Sequence, residues 1–264
     1  MHVERSPTDG SYSQSLARGL SILSSFRSEV PLLGVSELAR TVGMSRSTTH
    51  RYVATLAALG YLQQDAATKK YRLGPRVLDL GFSAINSMEL RSIAAPHLQL
   101  LSDDTGHTVN MAVLDGTDIV YIERCRSAQQ GQREIDLNLH VGSRLPAYCT
   151  SMGKVLLADL DERDLAGVLG RTQFTQRGPN TIVARRELLA ELERVRAAGL
   201  AVNNEELAYG LRSIAAPIRA QNGRAVAAIN LAVHRTMVSL EDLVERLSAR
   251  LERTAGEISA RIGY

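Results

Sequence analysis

The 264-residue chain has no Trp and only three Phe, so any core must be mainly aliphatic. Its two Cys are too few for a disulfide framework or a Cys-rich zinc site, and point to a reducing compartment. No uncharged apolar run approaches the ~20 residues a membrane helix needs. The opening segment, MHVERSPTDGSYSQ, lacks the apolar centre of a secretion signal. These absences predict a cytoplasmic protein with no membrane partner. His97, His107, His140 and His234 lack the paired spacing of metal ligands. The glycines near Lys154 do not form the GxxxxGK[ST] phosphate loop. No catalytic residue, metal or cofactor is expected.

What is present suits a folded protein of one large or two smaller domains. The chain is 44% hydrophobic and 22% charged. The net charge of +3 conceals a division. Residues 1–80 carry 10 Lys+Arg against 6 Asp+Glu, whereas residues 81–264 carry 21 against 22. A basic head on a near-neutral body implies an anion-binding first third and a separate task for the rest.

Residues 1–12 are polar and read as a disordered tail. Leu16, Leu20, Leu23 and Phe26 recur at helical spacing. After Pro31, the residues Val35, Leu38, Ala39 and Val42 stripe a short helix that Gly43 ends. Ser45 suits the N-cap of a third helix through about Leu59, with Thr49, Val53 and Leu56 facing inward. YLQQDAATKKYRL reads as two short strands around a polar tip. Three helices and a basic hairpin in this order describe a winged helix-turn-helix over 13–75.

Residues 76–90 form a linker helix in this reading, with Val77, Leu80, Gly81 and Ala84 on one face. A helix over Ser92 to Ser102 has Pro96 near its first turn. The period then falls to two. HTVNMAVLDGTDIVYIER reads as a hairpin about Asp115-Gly116, and Glu134 to Val141 as a further strand. Helices follow near Thr150–Leu160, Asp161–Leu169 and Val183–Ala198. Strands are expected at Ala201–Asn204, Ser213–Arg219 and Ala225–Val233, before a long helix over Leu240–Ile262. The expected fold is α+β, with an antiparallel sheet flanked by helices over 91–264.

The chain resembles the IclR family of bacterial transcription regulators. The resemblance rests on SLARGLSILSSF, VSELARTVGMSRSTTHRYVATLAALGYL and YRLGPRVLDLG in the head. In the body it rests on GSRLPAYCTSMGKVLLA, AGLAVNNEELAYGLRSIAAPI and GRAVAAINLAV. LPAYCTSMGKVLLA is most similar to the branch that controls protocatechuate and p-hydroxybenzoate degradation. The resemblance implies a winged-helix head, a linker helix and a GAF-like effector domain. It implies a dimer or dimer of dimers on double-stranded operator DNA. The implied effector is a small organic acid of the protocatechuate, p-hydroxybenzoate or β-ketoadipate class.

On the third helix, Arg46, Ser47, His50 and Arg51 should face DNA, beside Ser45 and Thr48. Arg46 is the leading base-reading candidate, because Arg can engage guanine O6 and N7 together. Ser47, Thr48 and His50 suit bases or phosphates. Arg51, Lys69 and Lys70 suit the backbone, a solvated surface role being the alternative. In the body, the resemblance carries effector binding to the backbone of Ser151 and Met152, and to Asn203, Ser213 and Asn230. Asn203 stands where other branches have Asp, which eases entry of a second anionic group or a ring. Arg144 suits a carboxylate or a surface ion pair, Tyr148 a ring or the core, and Arg212 a structural role. Two other readings stand beside this one. One is an IclR-type repressor sensing a non-aromatic acid. The other is a GAF-type redox enzyme using Cys125 and Cys149.

Overall fold

A computed structural model describes residues 12–27, 30–86, 89–127 and 139–262. The chain divides into two compact units, one up to Ser87 and one from Met88. The first unit comprises α1 (Gln14–Leu23), α2 (Val35–Thr41), α3 (Arg46–Ala58), β1 (Leu62–Gln64), β2 (Tyr71–Leu73) and α4 (Arg76–Asn86). Ser13 caps α1 by accepting from the Leu16 N–H, and Ser45 caps α3 by accepting from Thr48. Between α2 and α3 the backbone turns through Gly43 at φ 66°, a left-handed conformation that suits glycine.

The core of this unit is Ile22, Leu33, Leu38, Val53, Leu62 and Tyr71. Each such aliphatic side chain contributes ~1.5–3 kcal/mol on burial. Leu33 also exchanges two backbone hydrogen bonds with Tyr71, which adds a third extended segment to the β1–β2 hairpin.

The second unit comprises α5 (Glu89–Thr105), β3 (Thr108–Asp115), β4 (Asp118–Cys125), β5 (Arg144–Pro146), α6 (Ser151–Ala158), α7 (Glu162–Arg171) and α8 (Arg185–Ala198), then β6 (Ala201–Asn204), β7 (Leu211–Arg219), β8 (Ala225–His234) and α9 (Leu240–Arg261). Its sheet is antiparallel, in the order β5-β4-β3-β8-β7-β6. Alternation along the strands serves two cores. Val109, Met111, Ile214, Ile229 and Leu231 pack with Leu98 of α5 and Leu251 and Ile258 of α9. On the other side, Ala112, Ile119, Ala215 and Ala228 pack with Met152 and Val155 of α6 and Leu188 and Leu192 of α8. The small alanines on this side let α6 lie close to the sheet.

Several expectations need correction. Leu16 and Leu20 are 64% and 54% exposed, because α1 buries Ile22 instead. In the linker helix, Val77 is half-buried, whereas Leu80 and Gly81 are exposed. The following helix begins at Glu89, so Pro96 lies inside it rather than near its first turn. Buried Ala94, Leu98 and Leu101 on both sides of Pro96 hold the helix across the missing N–H. The short β5 and the 3-10 turn Ala147–Cys149 were not anticipated, being too brief to show a period. The strand expected at Glu134 to Val141 falls largely outside the described residues.

Gly153 shows why α6 needs a glycine in its first turn. A Cβ there would collide with the carbonyl oxygen and Cα of Ala147 in the preceding 3-10 turn. Backbone cannot yield as a side chain can. Gly153→Ala should therefore destabilise the protein by ~1–3 kcal/mol or more, read as a lower urea midpoint in the full chain.

Candidate functional site

In the first unit, α3 places Arg46, Ser47, His50 and Arg51 on one exposed face, opposite buried Thr49 and Val53. Thr48 is half-buried, and its hydroxyl accepts from Ser45 Oγ at 2.8 Å. Arg46 and Ser47 stand in the first turn, where unsatisfied N–H groups give a helix its partial positive charge. At the hairpin tip, Asp65 Oδ1 accepts from the Thr68 N–H and hydroxyl at 2.8 and 2.7 Å. These bonds hold the Asp65 carboxyl below its usual value. Lys69 follows in a left-handed conformation (φ 58°) and is exposed.

Lys70 is placed differently from Lys69. Its Nζ lies 3.2 Å from Glu37 Oε2, and that oxygen also accepts from the Gly34 N–H at 2.7 Å. The Gly34 bond first, and Lys70 second, hold the Glu37 carboxyl low. Lys70 thus ties the hairpin to the start of α2, a role its place in a two-lysine run does not reveal.

The second unit contains a cavity of about 40 Å³ on the α6 side of its sheet. Its floor includes Thr108, Asn110, Asn230, Ala232, Ser213 and Asn203, with Thr150 from the start of α6. Leu139, Leu207, Leu211 and Met237 supply apolar wall. No described lining residue is acidic. Burial pushes the His107 imidazole at its edge below the usual value.

The residues expected here separate into groups. Asn203, Ser213 and Asn230 all line the cavity. Ser151 shares a 2.7 Å hydrogen bond with Ser213, hydroxyl to hydroxyl. Asn203 Nδ2 donates to the Cys149 carbonyl at 2.6 Å, and its Oδ1 accepts from the Glu206 N–H. Met152 is fully buried in the core, and its side chain is not part of the lining.

Arg144 does not reach the cavity. It pairs with Asp115 and Asp118 at 2.7 and 3.3 Å, because β5 runs beside the β3–β4 turn. Tyr148 is also elsewhere. Its hydroxyl donates to the Thr175 carbonyl at 2.6 Å, and its ring meets Phe174 edge to face. It borders a more open depression of about 370 Å³ beside Arg171 and Arg177. Arg212 is structural, donating to Asn204 Oδ1 and the Val238 carbonyl.

Two residues of the second unit escaped sequence reasoning. Arg124 lines the cavity, with its Nη1 donating to Asn110 Oδ1 at 3.0 Å. Alternation from Tyr121 would place it on the other face, but Ile122 is an extra residue in the β3–β4 register. The resulting bulge turns Arg124 onto the Asn110 face. The other residue is Lys154, 1% exposed and the only lysine in the second unit. Its ammonium donates to Glu206 at 2.7 Å, Glu191 at 2.9 Å and the Val202 carbonyl at 2.6 Å. Burial nevertheless pushes the Glu206 carboxyl up, against the pull of Lys154. A lone lysine in the apolar run SMGKVLLA was the available signal.

Residues 82–260 match the C-terminal region of bacterial transcriptional regulator IclR, and residues 15–66 match the IclR helix-turn-helix domain. The chain belongs to the IclR family. It is 39% identical over 238 residues to the Pca regulon regulatory protein of Pseudomonas putida, covering 90% of this chain and 80% of that one. A solved transcriptional regulator from Rhodococcus sp. RHA1 is 40% identical with a TM-score of 0.79, covering 95% and 98% of the two chains. An IclR homolog from Microbacterium hydrocarbonoxydans, solved with 4-hydroxybenzoate, is 25% identical with a TM-score of 0.78, covering 94% and 98%.

IclR proteins are DNA-binding transcriptional regulators, and the matched families are not enzyme families. The alternative redox reading is overturned on geometry as well. Cys125 belongs to the core on the α5–α9 side and Cys149 to the core on the α6 side, so the sheet separates them. Burial pushes their thiols up to about 11 and about 12, which suppresses the thiolate. No described helix is long and apolar enough to cross a membrane, and no described His, Cys, Asp and Glu cluster could hold a metal.

This IclR protein should therefore leave both thiols unmodified by iodoacetamide at pH 8 in its native state. Both should react in denaturant, as counted by intact mass. Rapid native labelling at either position would contradict the described burial.

Proposed function

We propose that the chain regulates genes of aromatic-acid catabolism in the cytoplasm, binding palindromic operator DNA as a homodimer or dimer of dimers. The α3 helix enters the major groove. Arg46 reads a base edge, Ser47, Thr48 and His50 contact bases or phosphates, and Arg51 and Lys69 hold the backbone. Ser45 fixes the start of the helix, and Lys70 sets the hairpin that carries Lys69. Each head makes few phosphate contacts, so paired half-sites roughly 10 base pairs or a multiple apart supply the useful affinity.

The cavity receives a small acid of the protocatechuate, p-hydroxybenzoate or β-ketoadipate class. The observation that carries this reading is a pocket walled by leucines and floored by Asn203, Ser213 and Asn230, at the start of α6, with no described acidic lining. The Ser151 and Met152 N–H groups lie in the first turn of α6, where the helix favours an anion. The 4-hydroxybenzoate bound by the Microbacterium homolog and the similarity to the Pca regulon protein support the aromatic branch. Binding acts on DNA through whichever arrangement of the heads it favours, with the helix of residues 76–86 as the connecting lever.

Protocatechuate, p-hydroxybenzoate or β-ketoadipate should raise the melting temperature, and glyoxylate should not. A response to glyoxylate alone refutes the branch assignment. Asn203→Ala and Ser213→Ala should weaken the responding acid while leaving operator binding measurable. Unchanged affinity in both variants would move the pocket elsewhere.

Arg46→Ala should cost ~1–3 kcal/mol on operator DNA and much less on random DNA, measured by fluorescence anisotropy at fixed salt. Equal losses on the two DNAs would make Arg46 a phosphate contact.

A further inference from the structure

The cavity is smaller than the acids proposed for it. Its volume is about 40 Å³, room for a few water molecules. A single benzene ring fills a cavity of roughly 150 Å³. A wall must therefore move before a ring and its carboxylate can enter.

The floor is held in place. Asn110, Asn230, Ala232, Ser213 and Asn203 lie within the sheet ladders. The start of α6 is bonded to that floor through Ser151 and Asn203. The mouth is built differently. β7 begins and β8 ends at the Leu211–His234 pair, and two short segments leave the sheet there. Residues 205–210 bring Leu207 to the cavity, and residues 235–238 bring Met237. Tyr209 is 67% exposed and Met237 46%, so neither segment is covered from outside.

Arg235 fastens the two segments together. Its backbone N–H donates to the Gly210 carbonyl at 2.8 Å. Its guanidinium donates to Glu205 Oε1 at 3.3 Å and to the Tyr209 hydroxyl at 2.6 Å. The guanidinium carbon also lies 4.6 Å from the centre of the Tyr209 ring, close enough for a cation–π contact. Glu205 Oε2 in turn accepts from the Gly210 N–H at 3.1 Å. Glu205 has φ 59°, a left-handed conformation that strains any residue with a side chain. Such strain persists only where the surroundings hold it. Here the holders are Arg235, the Gly210 N–H and the Asn180 N–H, which donates to the Glu205 carbonyl. One side chain thus joins both lips and pins the strained residue at the root of one of them.

We infer that Arg235 is a latch across the mouth of the cavity, and that the effector binds a form in which Arg235 has released Glu205 and Tyr209. The inference rests on the cavity being the effector site. The latch is closed in the free protein and open in the complex. It therefore lowers the apparent affinity by the fraction of molecules that stand open. Weakening it raises affinity, the opposite of what losing a ligand contact does.

The test is isothermal titration of the full chain with protocatechuate, 4-hydroxybenzoate and hexanedioate. Arg235→Met keeps an apolar stem and removes the guanidinium. Tyr209→Ala removes only the exposed cap of the latch. Arg235→Met should bind the responding acid about three- to tenfold more tightly than the native chain. Tyr209→Ala should shift affinity the same way by less. Melting curves check that both variants fold, and Tyr209→Ala carries the test if Arg235→Met does not.

Unchanged affinity in the folded variants overturns the inference, since the opening then lies at another wall. Weaker binding in Arg235→Met also overturns it, because the closed latch would then belong to the ligand-holding state. Ser213→Ala separates the latch from the cavity reading. If it weakens binding while the two latch variants leave it unchanged, the cavity reading survives and the latch fails. If it changes nothing, or if none of the three acids binds the native chain or either latch variant, the cavity reading fails and takes the latch with it.

Discussion

The second unit is organised around one buried charge. Lys154 projects from α6 and is met by Glu191 of α8, the Val202 carbonyl of β6 and Glu206 just beyond β6. A desolvated ammonium is costly, and these acceptors offset that cost only together. Removing one partner of such a group typically costs ~3–5 kcal/mol, because the others stay buried and unpaired. The clamp therefore sets where α6 lies. Gly153 lets that helix close on the 3-10 turn, and Asn203 bridges from the turn to the backbone of Glu206. The start of α6 and the cavity floor are thus parts of one hydrogen-bonded frame. A ligand at that helix start would meet donors already in place rather than ones it must order.

The cavity depends equally on a defect in the sheet. A regular β4 would put Glu123 and Cys125 beside Tyr121 and send Arg124 to the α5–α9 core. The extra Ile122 reverses this. Ile122 enters the apolar core, and Arg124 joins Asn110. Glu123 takes Arg91 of α5 at 2.9 Å. One inserted residue satisfies a core, an ion pair and a pocket at once, which a strictly alternating strand could not do.

The two units were legible in the sequence to different degrees. The helices of the head announced themselves through Ser45, Gly43 and the Thr49–Val53 face, because local capping and turn chemistry decide them. The face of α1 did not, since Leu16 and Leu20 have the right spacing yet stay exposed. Spacing gives a helix its stripe but not the neighbour that covers it. In the body, the Asp115-Gly116 hairpin and the final two strands followed from alternation. Of the residues the resemblance names, Asn203, Ser213 and Asn230 line one cavity, whereas Arg144 and Tyr148 are engaged elsewhere by Asp115, Asp118 and Thr175.

By itself, the sequence determined the order of elements and the basic head. These are properties of composition and of contacts a few residues apart. The tertiary structure alone decided which charges face what. It gave Lys70 to Glu37, Lys154 to two carboxylates, and Arg124 to the cavity floor. Such pairings join residues tens of positions apart, and a single register shift sends a side chain to the opposite face of a sheet. No local pattern carries that information.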